Sequence, residues 1–202
     1  MRPLHEVHGI AAPYPRSNVD TDEIVPARFL LRDRKEGFAE FLFHDLRFDR
    51  TGAPIAAFVL NKPQFRAASV LIAGANFGCG SSREHAVWAL RDYGFDAVIA
   101  PSFGDIFRSN AVQNGLLPLV LQQAAVDRLF DIHAKASVAV RIDLPAQAVF
   151  VDGRAFEFEI PAIDKERLMT GRSQIDETLG LRTEIESFER SYLAAFPWAA
   201  PR

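Results

Sequence analysis

The chain has 202 residues, 49% of them apolar and 24% charged, with a formal net charge of −3. That length and apolar content support one sizeable folded core and exclude a disordered chain. No apolar run reaches the length of a bilayer span, and the acidic balance speaks against a dedicated nucleic-acid binder, which needs a basic face. Met1–Gly9 carries His and Glu where a secretory signal needs an apolar stretch. Cys79 is the only cysteine and cannot close an internal disulfide, which suits a reducing compartment; the expected location is the cytoplasm.

In chain order, Asn18-Val-Asp-Thr-Asp-Glu23 reads as an acidic turn in which Thr21 or Asp22 caps a short helix. Arg32-Asp-Arg-Lys-Glu-Gly37 follows as a charged, solvated loop between two Phe-rich segments. The first clear apolar strand is Ser69–Ala73, short and rich in buried-type residues. It runs into the Gly-rich loop Gly74–Gly80 and then a helix with Ala86, Ala89, Leu90 and Tyr93 at helical spacing and Gly94 as its C-terminal cap. Ser81-x-x-Glu84 has the form of a capping box, which places the helix start at the serines. Ala97–Ala100 is a second strand, a helix opens near Asp105 and closes at Asn114-Gly115, and Leu116–Leu121 is a third strand. Strand and helix alternate through this middle segment, which predicts a parallel or mixed sheet with helical crossovers.

Ala124–Ala134 reads as a further helix, with Val126, Leu129, Phe130 and His133 on one side. After it the period changes to two: Val138, Val140 and Ile142 alternate, as do Phe156, Phe158 and Ile160, so two or three antiparallel strands are expected. Thr183–Phe196 is an amphipathic helix with an Ile185, Phe188, Tyr192, Leu193, Phe196 stripe and Thr183-x-x-Glu186 as its capping box. We expect one domain over 1–202, with a core of about 1–165 and a helical extension of about 166–202.

The strand–loop–helix unit at Asn76-Phe-Gly-Cys-Gly-Ser-Ser-Arg-Glu-His85 carries the chemistry. Glycines allow close backbone approach, and a helix N-terminus offers free N–H groups that suit a carboxylate or phosphate. Arg83 adds a bidentate fork, and a cation at that end of a helix asks for an anion to compensate it. A tight βα turn capped by Ser81 is the other reading of the same residues. Spacing rejects the P-loop, the dinucleotide fingerprint and the nucleophile elbow. Asn18-x-Asp20-x-Asp22 opens like a calcium loop but has Glu23 where Gly is needed, and His5-x-x-His8 has no third ligand nearby, so no metal site is expected in this chain. Cys79 has two readings, a small buried core residue or an activated thiolate.

Ser17–Pro26, Asn76–Phe95 and Pro101–Asn110, in this order and continuing through Gly115-Leu-Leu-Pro118, resemble the small subunits of 3-isopropylmalate dehydratase, in the aconitase superfamily. Gly80-Ser-Ser-Arg-Glu-His85 is the most specific part of the likeness. The resemblance implies an α/β fold, the swivelling β/β/α domain, with a C-terminal helix. It implies a cluster-bearing large subunit as partner, in a heterodimer or higher hetero-oligomer, that holds a [4Fe–4S] cluster through three cysteines. One cysteine here agrees with a small-subunit role in which this chain binds no cofactor itself.

In such enzymes a 2-hydroxy diacid loses its hydroxyl and a neighbouring proton, then regains them with positions exchanged. The open iron polarises the hydroxyl. By similarity Ser81 is the catalytic base, as an alkoxide that the helix N-terminus and Arg83 stabilise, and Ser82 and Arg83 bind substrate. Glu84 and His85 keep structural readings, as cap and helix packing. The loop near Arg32–Gly37 lies by the substrate's variable group, which makes Arg34 and Lys35 candidate binding residues. Many members have Thr-Arg-Thr-Gly-Phe where this chain has Arg34-Lys-Glu-Gly-Phe38. Lys does not replace Arg bidentately, so a related hydro-lyase acting on a citramalate- or dimethylmalate-type diacid is the alternative. A non-catalytic RNA-binding module is a third class, disfavoured by the acidic balance; neither nucleic acid nor membrane is an expected partner.

Overall fold

The computed structural model describes residues 1–135 and 138–200, so the last two residues of the expected C-terminal extension lie outside the described residues. Two compact units appear, 1–171 and 172 onward. The larger begins with β1 (Glu6–Tyr14), the short helices α1 (Thr21–Ile24) and α2 (His44–Arg47), and β2 (Ala68–Ala73). Next come α3 (Glu84–Tyr93), β3 (Ala97–Ala100), α4 (Asp105–Gln113), β4 (Leu117–Val120) and α5 (Gln123–Lys135). The antiparallel strands β5 (Ala139–Asp143), β6 (Ala148–Val151) and β7 (Arg154–Glu157) and then α6 (Ala162–Thr170) complete it.

The seven strands form one sheet in the order β4-β3-β2-β1-β5-β6-β7. β1 to β4 pair in parallel, and β5 to β7 are antiparallel. The mixed sheet expected from the two periodicities is present. In β2 the side chains alternate between two cores: Leu71 and Ala73 join Phe38, Phe43, Phe77 and Leu90 on one face. Val70 and Ile72 join Val126, Leu129 and Leu168 on the other. Burial on both faces is why the parallel strands read as continuous apolar runs.

β1 is the strand that periodicity missed. Its sequence, Glu-Val-His-Gly-Ile-Ala-Ala-Pro-Tyr, is poor in β-branched residues, yet it lies at the centre of the sheet. Its first half pairs with β5 through Glu6–Ile10 and its second half with β2 through Ile10–Tyr14. Pro13 therefore falls where β1 has only one neighbour, a position a strand proline tolerates.

In the smaller unit, α7 (Gln174–Gly180) is capped reciprocally by Ser173 and Asp176, and α8 (Arg182–Ala195) follows at once. Thr183 does not cap it. The helix already starts at Arg182, with Leu181 at the cap position, so Thr183 lies inside the first turn and the expected capping box is absent. The apolar stripe of α8 is exposed at Ile185, Phe188, Tyr192 and Phe196, and the aromatic rings at 188, 192 and 196 follow one another at 5.6 and 5.0 Å. No helix among the described residues is long and apolar enough to cross a membrane.

Candidate active site

The loops leaving the carboxyl ends of β1, β2 and β3 converge, as ligand-binding loops of parallel sheets do. Main-chain bonds stitch them together. Gly74 N–H donates to Arg16 O (2.9 Å) and Asn18 N–H to Ala75 O (2.8 Å). Gly78 N–H donates to Val19 O (2.8 Å) and Thr21 N–H to Cys79 O (3.0 Å). On the other side Phe77 N–H donates to Ser102 O (3.1 Å) and Gly104 N–H to Phe77 O (2.9 Å). Asn76 Nδ2 donates to Asn18 Oδ1 at 2.9 Å. The chain passes Gly78 at φ +72° and Gly80 at φ +88°, and a Cβ on Gly78 would lie 2.2 Å from Phe107 Cγ. Only glycine fits there.

The turn that follows departs from the expected cap. α3 begins at Glu84, with Arg83 at the cap position and no side-chain cap. Thr21 Oγ1 donates to Ser81 O at 2.9 Å, which holds the chain extended through Arg83. Ser81 and Ser82 are thus left in the loop, both exposed, with no hydrogen bond to either hydroxyl among the described residues. Glu84 is not a capping partner either; it accepts from Asn114 Nδ2 at 2.8 Å, and Asn114 Oδ1 accepts from Trp88 Nε1 at 3.2 Å. His85 packs against Phe38 and Trp88 at 5.4 and 4.6 Å, as the packing reading expects.

Arg83 ion-pairs with Asp22, the Arg83 side chain 15% exposed and that of Asp22 52%. The anion that compensates the cation at the α3 N-terminus is therefore supplied from α1. Asp22 was legible as part of an acidic turn but not as the partner of Arg83, because 61 residues separate them. The α1 cap is Asp20, whose Oδ1 accepts from Glu23 N–H at 2.7 Å, rather than Thr21 or Asp22. Glu23 also accepts from the Tyr14 hydroxyl at 2.6 Å and pairs with Arg16 at 3.2 Å. Burial, reinforced by that carboxylate, pushes the Tyr14 phenol well above its ordinary range. Cys79 is half-buried rather than a core residue.

The charged loop is more ordered than its composition suggests. Residues 34–36 form one 3-10 turn, capped by Asp33 accepting from Lys35 N–H at 2.9 Å. Arg34 does not join Ser81, Ser82 and Arg83: its two terminal nitrogens donate to Asp92 at 2.6 and 2.8 Å. Lys35 is exposed, and its ammonium has no ion-pair partner among the described residues. Leu31, a residue that sequence reasoning passed over, is 99% exposed. The signal for it was the second leucine of Leu30-Leu31, at the edge of a charged run. No three His, Cys, Asp or Glu side chains converge among the described residues, and one cysteine cannot provide a cluster's thiolate set. This chain's donors do not fit an iron–sulfur cluster.

A family model for the aconitase C-terminal domain matches residues 1–124. The chain is 46% identical over 200 residues to the 3-isopropylmalate dehydratase small subunit of Dinoroseobacter shibae, covering 98% of this chain and 100% of that one. It is 47% identical to the small subunit of the same name from Bacillus licheniformis, with 94% and 96% covered. A crystal structure of 3-isopropylmalate dehydratase from Methanocaldococcus jannaschii superposes with a TM-score of 0.65 at 29% identity, covering 91% of this chain and 99% of that one. Matched over nearly its whole length, the chain belongs to the 3-isopropylmalate dehydratase small-subunit family.

Proposed function

We propose that the chain is the small subunit of a hydro-lyase that interconverts 2-isopropylmalate and 3-isopropylmalate through 2-isopropylmaleate, in leucine synthesis. It acts with a larger subunit in the cytoplasm, and neither nucleic acid nor membrane takes part. The observation that carries the reading is the turn at 80–83. Two hydroxyls with no hydrogen bond among the described residues stand beside an oriented guanidinium, at the carboxyl ends of parallel strands, in a chain 44–47% identical to curated small subunits. A [4Fe–4S] cluster is expected in the partner, where it supplies Lewis acidity toward the leaving hydroxyl.

This chain's share is the proton and the carboxylate. Ser81 Oγ, as alkoxide, takes the proton from the carbon next to the one that loses hydroxyl, and delivers a proton to the carbon that lost the hydroxyl when water adds to its neighbour. A serine alkoxide needs positive potential close by, and Arg83 and the first free N–H groups of α3 are the local sources. Asp22 holds the Arg83 fork in place while leaving its remaining N–H groups for a substrate carboxylate. Ser82 is a further donor. The exposed Leu31 suits an apolar substituent on the substrate, and Lys35 a second carboxylate.

The test is the complex of this chain with its large subunit, assayed anaerobically for hydration of 2-isopropylmaleate. Ser81→Ala should lower turnover by about 10³-fold or more, with assembly and thermal midpoint unchanged; retained activity overturns the assignment. The exposed Lys35 and Glu36, where the family resemblance leads one to expect Arg and Thr, favour one second reading, a related hydro-lyase for a smaller 2-hydroxy diacid. A complex that hydrates methylmaleate in preference to isopropylmaleate would establish that one instead.

A further inference from the structure

We infer that Asp92 is a positioning residue for substrate selectivity, which locks residues 30–38 in register with the turn that carries Ser81. The inference rests on the functional reading above and adds a residue to it. Three fastenings hold the segment along α3. At the first turn of the helix, the His85 ring packs against the Phe38 ring at 5.4 Å. In its middle, Trp88 receives the Arg34 guanidinium over its ring at 5.2 Å and the edge of Phe38 at 5.6 Å. In its last turn, both carboxylate oxygens of Asp92 are filled: Arg34 donates to each, and Phe38 N–H donates to Oδ2 at 2.7 Å.

Trp88 and Asp92 each touch both ends of the 34–38 turn, but only Asp92 holds them by hydrogen bonds. That hold is bidentate and charge-assisted, and the Asp92 side chain is 21% exposed, so it is screened less than a surface pair. Asp92 stands nine residues beyond Arg83, about 13 Å along a helix, and so acts on substrate through the segment rather than by contact. With Arg34 committed to the lock, Leu31 and Lys35 are among the outward side chains whose placement the lock sets.

The experiment uses the assembled enzyme with 2-isopropylmaleate and the smaller 2-methylmaleate. Asp92→Ala should lower kcat/KM for the isopropyl compound roughly tenfold, mainly through KM, and for the methyl compound by less than about twofold. Arg34→Ala should do the same, the double variant no worse than either single one, and Arg34→Lys should recover part of the loss. Amide exchange should rise over 30–38 and stay unchanged over 76–83. Equal losses on both substrates, additive effects, or a loosened segment with unchanged selectivity would each overturn the proposal. If Asp92→Ala does not fold, Arg34→Ala, at a side chain 45% exposed, decides alone. A wild-type complex that hydrates neither compound removes the functional reading, and the selectivity role with it, while exchange still reports whether the lock exists.

Discussion

The turn at 74–83 and the segment at 30–38 flank the same helix and are built on opposite principles. The turn is fixed as far as Cys79 by main-chain bonds to neighbouring loops and by glycines at positive φ. The Thr21 hydroxyl on Ser81 O extends that hold to the serines, so the turn's shape depends little on which side chains it carries itself. The segment is fixed by side chains: Arg34 and Phe38 on Asp92 and Trp88, and the Phe38 ring on His85. A main-chain scaffold keeps a reacting group in one place through many substitutions. A side-chain scaffold can be re-aimed by one. Chemistry shared across a family belongs on the first and substrate choice on the second.

The largest way to break this contrast is at Gly78. A methyl there meets Phe107 at 2.2 Å and sits at φ +72°. Gly78→Ala should destabilise the chain by about 3 kcal/mol or more, a fall of roughly 10 °C in thermal midpoint for a chain of this size. Activity should go with it. Calorimetry on the isolated chain measures the first and the assembled assay the second. A variant of wild-type stability would show that side chains shape the turn after all.

A smaller effect separates the two members of the Arg83–Asp22 pair. Arg83→Lys keeps the charge but loses the fork, so it cannot serve Asp22 and a substrate carboxylate together. It should raise KM by about 10- to 100-fold, the range of one charged hydrogen bond. Asp22→Asn retains an acceptor for Arg83 and should cost less, roughly 3- to 10-fold. If Asp22→Asn proved the more damaging, orientation of Arg83 would not be what Asp22 does.

The difference between the regions also explains what the sequence made legible. The strands β2, β3 and β4 and the helices between them follow from local period and punctuation, and so does Gly94 as a C-terminal cap at φ +119°. The Gly-rich loop was legible as a close-approach turn because glycine marks main-chain constraints directly. Contacts between side chains far apart in sequence leave no such mark. Arg83 with Asp22 and Arg34 with Asp92 are separated by 61 and 58 residues, and each cation reads from sequence as free to bind substrate. The Ser81-x-x-Glu84 cap failed for a related reason: a bond from Thr21, on another element, competes for the turn. β1 escaped because its position in the sheet overrides its weak propensity.

The mildest perturbation that sharpens the contrast is pH. His85 packs between Phe38 and Trp88, and burial holds its pKa below the ordinary 6.5, with nearby Arg83 lowering it and Glu84 and the Leu30 backbone raising it. A depressed histidine is neutral in the folded chain at a pH where the unfolded chain already takes up the proton. Its contribution to stability is therefore complete above about pH 6.5 and declines as pH falls through that value toward the folded-state pKa. The ring is partly exposed, so screening leaves a few tenths of a kcal/mol. Urea midpoints at pH 7.5 and 5.5 should accordingly fall slightly more for the wild type than for His85→Gln, which cannot gain the proton. Amide exchange at the lower pH should open 30–38 first, because the charged ring sits against that segment, while 77–79 keep their protection through main-chain bonds that do not titrate. Equal opening of both regions would mean that the catalytic turn depends on the same side chains as the segment beside it.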